Sequence, residues 1–163
     1  MRTNLKTIRC IFLFAVLTQT ACAEVSVWDK PTPALAGPKE MTVYRSPTCG
    51  CCEKWMDHMK THGFSVKEIQ SDEMDSVKQK LGVPKALQSC HTALVDGYVV
   101  EGHVPAEDVK KLLATKPKIA GLAAPGMPPG SPGMEMGGSK ANFSVILFDK
   151  QGNTQTFHEY SNH

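Results

Sequence analysis

The sequence predicts an α/β fold: a mixed sheet core in the order β-α-β-α-β-β-α, with an added C-terminal β-hairpin. Three observations carry that prediction. Between residues 41 and 113, strand-like alternation and helix-like i, i+3, i+4 spacing of apolar residues take turns along the chain. Asp96-Gly97 stands between two strand-like runs, a dipeptide that strongly signals a tight hairpin. A second pair of strand-like runs flanks Lys150-Gln151-Gly152-Asn153.

The first 23 residues read as a cleaved signal peptide rather than as part of that fold. Arg2, Lys6 and Arg9 form a basic start, Cys10 to Leu17 is an apolar run, and Ala21-Cys22-Ala23 offers a small-x-small cleavage site. The run is too short to cross a bilayer core of about 30 Å as a helix. Cleavage after Ala23 removes Cys10 and Cys22 and leaves four cysteines. Export by this route points to the periplasm of a Gram-negative bacterium, an oxidising compartment, with no membrane attachment after cleavage.

Residues 24–40 read as a linker, punctuated by Pro31, Pro33, Gly37 and Pro38. The main domain then spans residues 41–120. Met41 to Arg45 is a short strand. Cys52 to His62 is a helix with Cys52, Trp55, Met56 and Met59 on one face, stopped by Gly63. Phe64 to Ile69 alternates as a strand. Ser71 or Asp72 caps a second helix that turns Met74, Val77 and Leu81 inward. Thr92 to Val95 and Tyr98 to Glu101 are the hairpin arms, and Pro105 opens a third helix with Val109, Leu112 and Leu113 inward. Residues 121–140 are rich in Met, Pro and Gly and read as a loop without a core of its own. Phe143 to Phe148 and Thr154 to Tyr160 form the last hairpin, packed on the same domain within residues 141–160.

Charge narrows the function. The chain of 163 residues carries 18 bases and 16 acids, but losing Arg2, Lys6 and Arg9 leaves 15 bases against 16 acids. A nucleic-acid binder needs a standing positive patch, so nucleic acid is not an expected partner.

Chemistry concentrates at Cys49, Cys51, Cys52 and Cys90. The first three lie where a strand ends and a helix begins, and the helix N-terminus favours thiolate there. A thiolate is both a nucleophile and a metal ligand. Soft thiolates and thioethers select Cu(I), and the methionines of the loop, Met127, Met134 and Met136, add to that preference. Four thiolates also suit one tetrahedral zinc, although the two separated C-x-x-C halves usual for zinc are missing. Thiol–disulfide exchange and a purely structural disulfide such as Cys49–Cys90 are the other readings. The cysteines are read as C-x-C-C rather than as a two-residue redox spacing, which favours metal.

Tyr44 to Cys49 and Cys90 to Gly102 resemble the thioredoxin-like superfamily, in which the third strand follows a cis-proline. Here no proline stands at that position, near His91. A closer likeness spans residues 41–160. The C-x-C-C, the segment Glu101-Gly102-His103-Val104-Pro105, and the run from Gly121 through Pro125-Gly126-Met127-Pro128 to Met134-Glu135 resemble the CopG-type periplasmic copper-resistance proteins. That resemblance implies a thioredoxin-like fold, copper held by Cys49, Cys51, Cys52 and Cys90, and other periplasmic copper-handling proteins as partners. It leaves open whether the chain stores copper or acts as a copper-linked oxidoreductase.

His103 follows the fourth strand on the expected site side, and His91 neighbours Cys90; both are candidate secondary ligands with Met127, Met134 and Met136. His58 and His62 read as residues of a solvated helix face, and His158 as a surface residue.

Overall fold

A computed structural model describes residues 26–135 and 138–161. The expected signal peptide, with its expected cleavage site, and Met136 lie outside the described residues. The elements are β1 (Lys39–Arg45), α1 (Gly50–Thr61), β2 (Phe64–Gln70), α2 (Met74–Lys80), β3 (His91–Val95), β4 (Tyr98–Gly102), α3 (Ala106–Thr115), β5 (Gly121–Ala124), β6 (Phe143–Phe148) and β7 (Thr154–Tyr160). Seven strands form one mixed sheet in the order β2-β1-β3-β4-β5-β6-β7. The α/β class and the expected element order through α3 are therefore present.

Local chemistry explains most boundaries. Asp96 and Gly97 both take positive φ, 47° and 84°, as the two-residue hairpin turn requires. Gly63 ends α1 at φ 90°. On α1, Cys52, Trp55, Met56 and Met59 are buried as the spacing predicts. Trp55, Met56 and Met59 join Val109, Leu112 and Leu113 of α3 and Met41, Val43, Ala93, Val95 and Val100 of the sheet in one large apolar cluster. Alternation along the strands sends Val99, Ala123 and Phe148 into a smaller cluster with Val83 and Leu87.

Three expectations are corrected. The composition of Gly121–Ala124 reads as loop, yet all four residues are buried in β5, parallel to β4 and antiparallel to β6. Small residues are required because the strand is closely confined: a β-carbon on Gly121 would collide with the Val99 carbonyl. This strand carries the last hairpin onto the main sheet. In α2, Met74, Val77 and Leu81 are only partly covered, and the buried residue is Lys78. Its cap is Glu73 rather than Ser71 or Asp72, with Ser71 Oγ accepting the Glu73 N–H at 3.1 Å. As expected, residues 26–38 have no strand or helix, and Trp28 among them is buried against Phe143 and Tyr160.

Candidate metal centre

Register brings the chemistry to one end of the sheet. Arg45 pairs with His91, Thr92 with Glu101, and Gly102 with Ala124. The segments leaving β1, entering β3, leaving β4 and leaving β5 therefore emerge side by side. They carry Cys49, Cys90, His103 and the Met/Pro/Gly segment.

Arg45 braces the approach to the first cysteine. Its Nη1 donates to the carbonyls of Ser46 and Pro47 at 2.9 and 3.1 Å. Its Nη2 reaches Glu53 on α1 at 2.7 Å and Glu68 on β2 at 2.6 Å. Cys49 is the N-cap of α1, and Cys52 lies one turn on. These two form a disulfide, with Cα atoms 5.4 Å apart. This corrects the C-x-C-C reading: Cys49 and Cys52 are a two-residue-spaced pair, which the intervening cysteine conceals in the sequence. A Cys49–Cys90 bridge is not formed.

Cys51 and Cys90 are free thiols. Cys51 Sγ lies 3.6 Å from Cys49 Sγ and 3.9 Å from Cys90 Sγ, between the two arms of the site. All four sulfurs fall within 4.8 Å of one another.

Two imidazoles complete the cluster. His103 Nδ1 donates to the Pro132 carbonyl at 2.8 Å, which leaves the Nε2 lone pair facing Cys90 Sγ at 3.1 Å. A histidine that ligates a metal is commonly oriented in this way, its second nitrogen donating to a carbonyl. His91 Nδ1 lies 3.3 Å from the same sulfur, and its buried Nε2 has no hydrogen-bond partner. The His91 ring packs 4.3 Å from Trp55, whose Nε1 donates to the Val104 carbonyl. Burial lowers both histidines below the usual imidazole range; the neighbouring His103 and Lys78 charges add to the effect at His91. Both rings are therefore neutral and offer lone pairs. Burial, reinforced by Cys51, pushes the Cys90 thiol up to about 12. The expected bias toward thiolate thus does not extend to Cys90, which lies off the helix end.

The segment after β5 is a folded strap. Gly126 bridges to Ser89, whose Oγ donates to the Gly126 carbonyl, and Gly126 N–H donates to the Gln88 carbonyl at 3.3 Å. Trp28 Nε1 donates to the Gly130 carbonyl at 2.7 Å. Gly133 lies on the first turn of α1, where a β-carbon would stand 2.8 Å from Trp55 N and 2.9 Å from the Cys51 carbonyl oxygen. The strap backbone is thus closed over the cysteine turn. Met127 is 54% exposed and Met134 partly buried.

The remaining described histidines lie elsewhere. His58 and His62 are buried, not solvated, with rings 4.6 Å apart. His158 reaches Asp108 at 2.9 Å and is partly covered. Sequence reasoning passed over Lys78 and Glu101, a buried ion pair beneath the Cys90 turn. An acid in the apolar arm Tyr98-Val99-Val100-Glu101, at a position facing inward, was the signal.

Fold and site together define an α/β protein with a thiol, disulfide and imidazole cluster at one end of its sheet. Residues 87–134, which include Cys90, His91, His103 and the strap through Met134, match a family described as "Protein of unknown function, DUF411". No curated protein matches the chain. Two solved structures of copper resistance protein CopG do. Form 1 is 43% identical over 76% of this chain and 98% of that one, with a TM-score of 0.72. Form 2 is 42% identical over 77% and 100%, with a TM-score of 0.73. The chain belongs to the CopG family of copper resistance proteins.

Proposed function

We propose that this chain is a periplasmic copper-handling protein, exported by its cleaved leader. It holds Cu(I) on the thiolates of Cys49, Cys51, Cys52 and Cys90, with His103 and His91 as neutral donors beside Cys90. The observation that carries this reading is the convergence of four sulfurs and two imidazole lone pairs in one partly buried cluster. Soft sulfur ligands favour Cu(I) over harder ions, and imidazole is compatible with it. Kinship with copper resistance proteins supports the same metal.

The Cys49–Cys52 disulfide adds a condition. Two of the four sulfurs become thiolates only after two electrons reduce it, so full copper capacity belongs to the reduced protein. The same disulfide favours a second reading, a thiol or copper oxidoreductase. Its reduction takes up two electrons, the number that two Cu(I) ions release on becoming Cu(II).

Anaerobic Cu(I) titration of reduced and oxidised protein tests the proposal. Reduced protein should bind more copper per chain and lose titratable thiols as it loads. Cys51→Ser should lower stoichiometry, because Cys51 stands between the two arms, and Cys90→Ser should weaken binding. A reduced chain that takes up no copper but reduces insulin disulfides would replace the first reading with the second.

A further inference from the structure

Glu101 is fully buried in β4, and its carboxylate is closed on every side. Oε1 accepts from Lys78 Nζ at 2.6 Å and from the Ser89 backbone N–H at 2.7 Å. Oε2 accepts from Thr92 Oγ1 at 2.6 Å, and that hydroxyl accepts from Lys78 Nζ at 3.0 Å. Lys78 crosses from α2 to reach this network, and it is that helix's buried residue.

Stability does not account for the arrangement. Burying an ammonium and a carboxylate costs several kcal/mol per ion, and well-packed apolar residues of similar volume commonly replace such a pair without loss. What apolar residues cannot do is accept the Ser89 N–H. That donor lies one residue before Cys90, where the chain has not yet entered the β3 ladder. The strap grips the same residue from the other side, through the Ser89 Oγ bond to Gly126. The tolerance at Cys90 is small. Two thiolates on one metal at about 2.3 Å each, the zinc–thiolate length, stand no more than about 4.6 Å apart. Cys51 and Cys90 are 3.9 Å apart.

We propose that Glu101, held by Lys78 and Thr92, is a positioning residue that fixes the Ser89–Cys90 backbone and so sets the reach between Cys90 and Cys51. The copper consequence rests on the function proposed above; the geometric one does not.

Two variants separate positioning from stability because each disturbs one and spares the other. The double variant Lys78→Met/Glu101→Leu removes both charges and the acceptor, and should melt cooperatively near the parent temperature. Glu101→Gln keeps an oxygen for the Ser89 N–H but strands the Lys78 charge, and should melt lower. The first readout uses copper-free protein with its Cys49–Cys52 disulfide intact, where Cys51 and Cys90 are free. Dibromobimane bridges the two thiols, and mass spectrometry quantifies the Cys51–Cys90 cross-linked peptide. The double variant should cross-link about tenfold more slowly than the parent, while Glu101→Gln should keep the parental rate. In the second readout, Cu(I) competition with bicinchoninate, the double variant should lose about tenfold in affinity, the scale of losing a ligand-orienting partner. Parental cross-linking in the double variant, or lost cross-linking in folded Glu101→Gln, overturns the proposal, and either variant decides alone. A parent that binds no copper overturns the copper reading and leaves the cross-linking result standing.

Discussion

Two histidine pairs stand among the described residues, and they differ in what is done with their lone pairs. At the cysteine end, His103 has spent its proton on Pro132 and keeps a lone pair toward Cys90, while His91 turns Nδ1 toward the same sulfur at 3.3 Å. Under the N-terminal segment, His58 and His62 lie a helical turn apart, a spacing able to chelate a metal. There His58 Nε2 accepts the Ala106 N–H at 3.1 Å. His62 contacts the Trp28 carbonyl through Nε2 and Thr32 Oγ1 through Nδ1, and Lys110 donates to that hydroxyl. Since a carbonyl only accepts, Nε2 carries the proton and Nδ1 takes the Thr32 hydrogen. If His58 bound a metal through Nδ1, its Nε2 would need a proton that the Ala106 N–H excludes. Spacing nominates ligands; unspent lone pairs make them.

The most direct way to break this contrast is to remove a histidine from each end and measure copper. His103→Ala should weaken Cu(I) binding by about tenfold or more. His62→Gln should leave affinity and stoichiometry unchanged, whatever it does to the melting temperature. Equal losses from both variants, read by chelator competition, would show that the second pair also holds metal.

A pH titration of stability sharpens the same contrast. Burial, with the His62 and Lys110 charges behind it, lowers His58 from the usual imidazole value to about 3. Between about pH 6.5 and 3 the unfolded chain binds a proton at this residue that the folded chain refuses. The stability linked to His58 is complete above pH 6.5 and falls as the solution is acidified, by up to about 1.4 kcal/mol per pH unit. His58→Gln can still accept the Ala106 N–H but does not titrate. Denaturant melts from pH 7 to 4 should show a slope smaller by about one proton in the variant. The slope does not vanish, because His91 and His103 are also held below their usual range. Parallel slopes in parent and variant would mean that His58 is protonated in the fold.

Much of this was legible where sequence and geometry share a local cause. Asp96-Gly97 fixes its turn through positive φ, and the i, i+3, i+4 spacing of Cys52, Trp55, Met56 and Met59 fixes the buried face of α1. Misreadings occurred where a distant partner decides. Gly121-Leu122-Ala123-Ala124 lacks the bulk of a strand sequence, and only the close approach of β4 explains why small residues are needed there. Lys78 lies on a helix whose spacing turns Met74, Val77 and Leu81 inward, and its burial depends on Glu101, which lies 23 residues away. The Cys49–Cys52 pair is different: its spacing was local and visible, but the reading was drawn to the adjacent cysteines instead.

The methionines provide the smallest expected effect and the test of how the strap works. Its backbone is held by Trp28, His103 and the packing of Gly133 on α1, none of which uses a thioether. Folding should therefore not depend on Met127, Met134 or Met136. Met127 is more than half exposed, so leucine there changes little packing, and leucine approximates methionine in volume at Met134. Thioethers differ from leucine in one relevant respect: they bind soft Cu(I) without having to lose a proton. A metal leaving a Cys90 thiolate must be replaced by a proton, whereas one passing over a thioether need not be. The triple Met→Leu variant should melt with the parent yet release Cu(I) to a chelator about threefold faster, equivalent to about 0.7 kcal/mol of lost contact. Equal release rates would leave the strap a backbone cover whose methionines take no part in holding copper. A lower melting temperature with unchanged release would place them in packing instead.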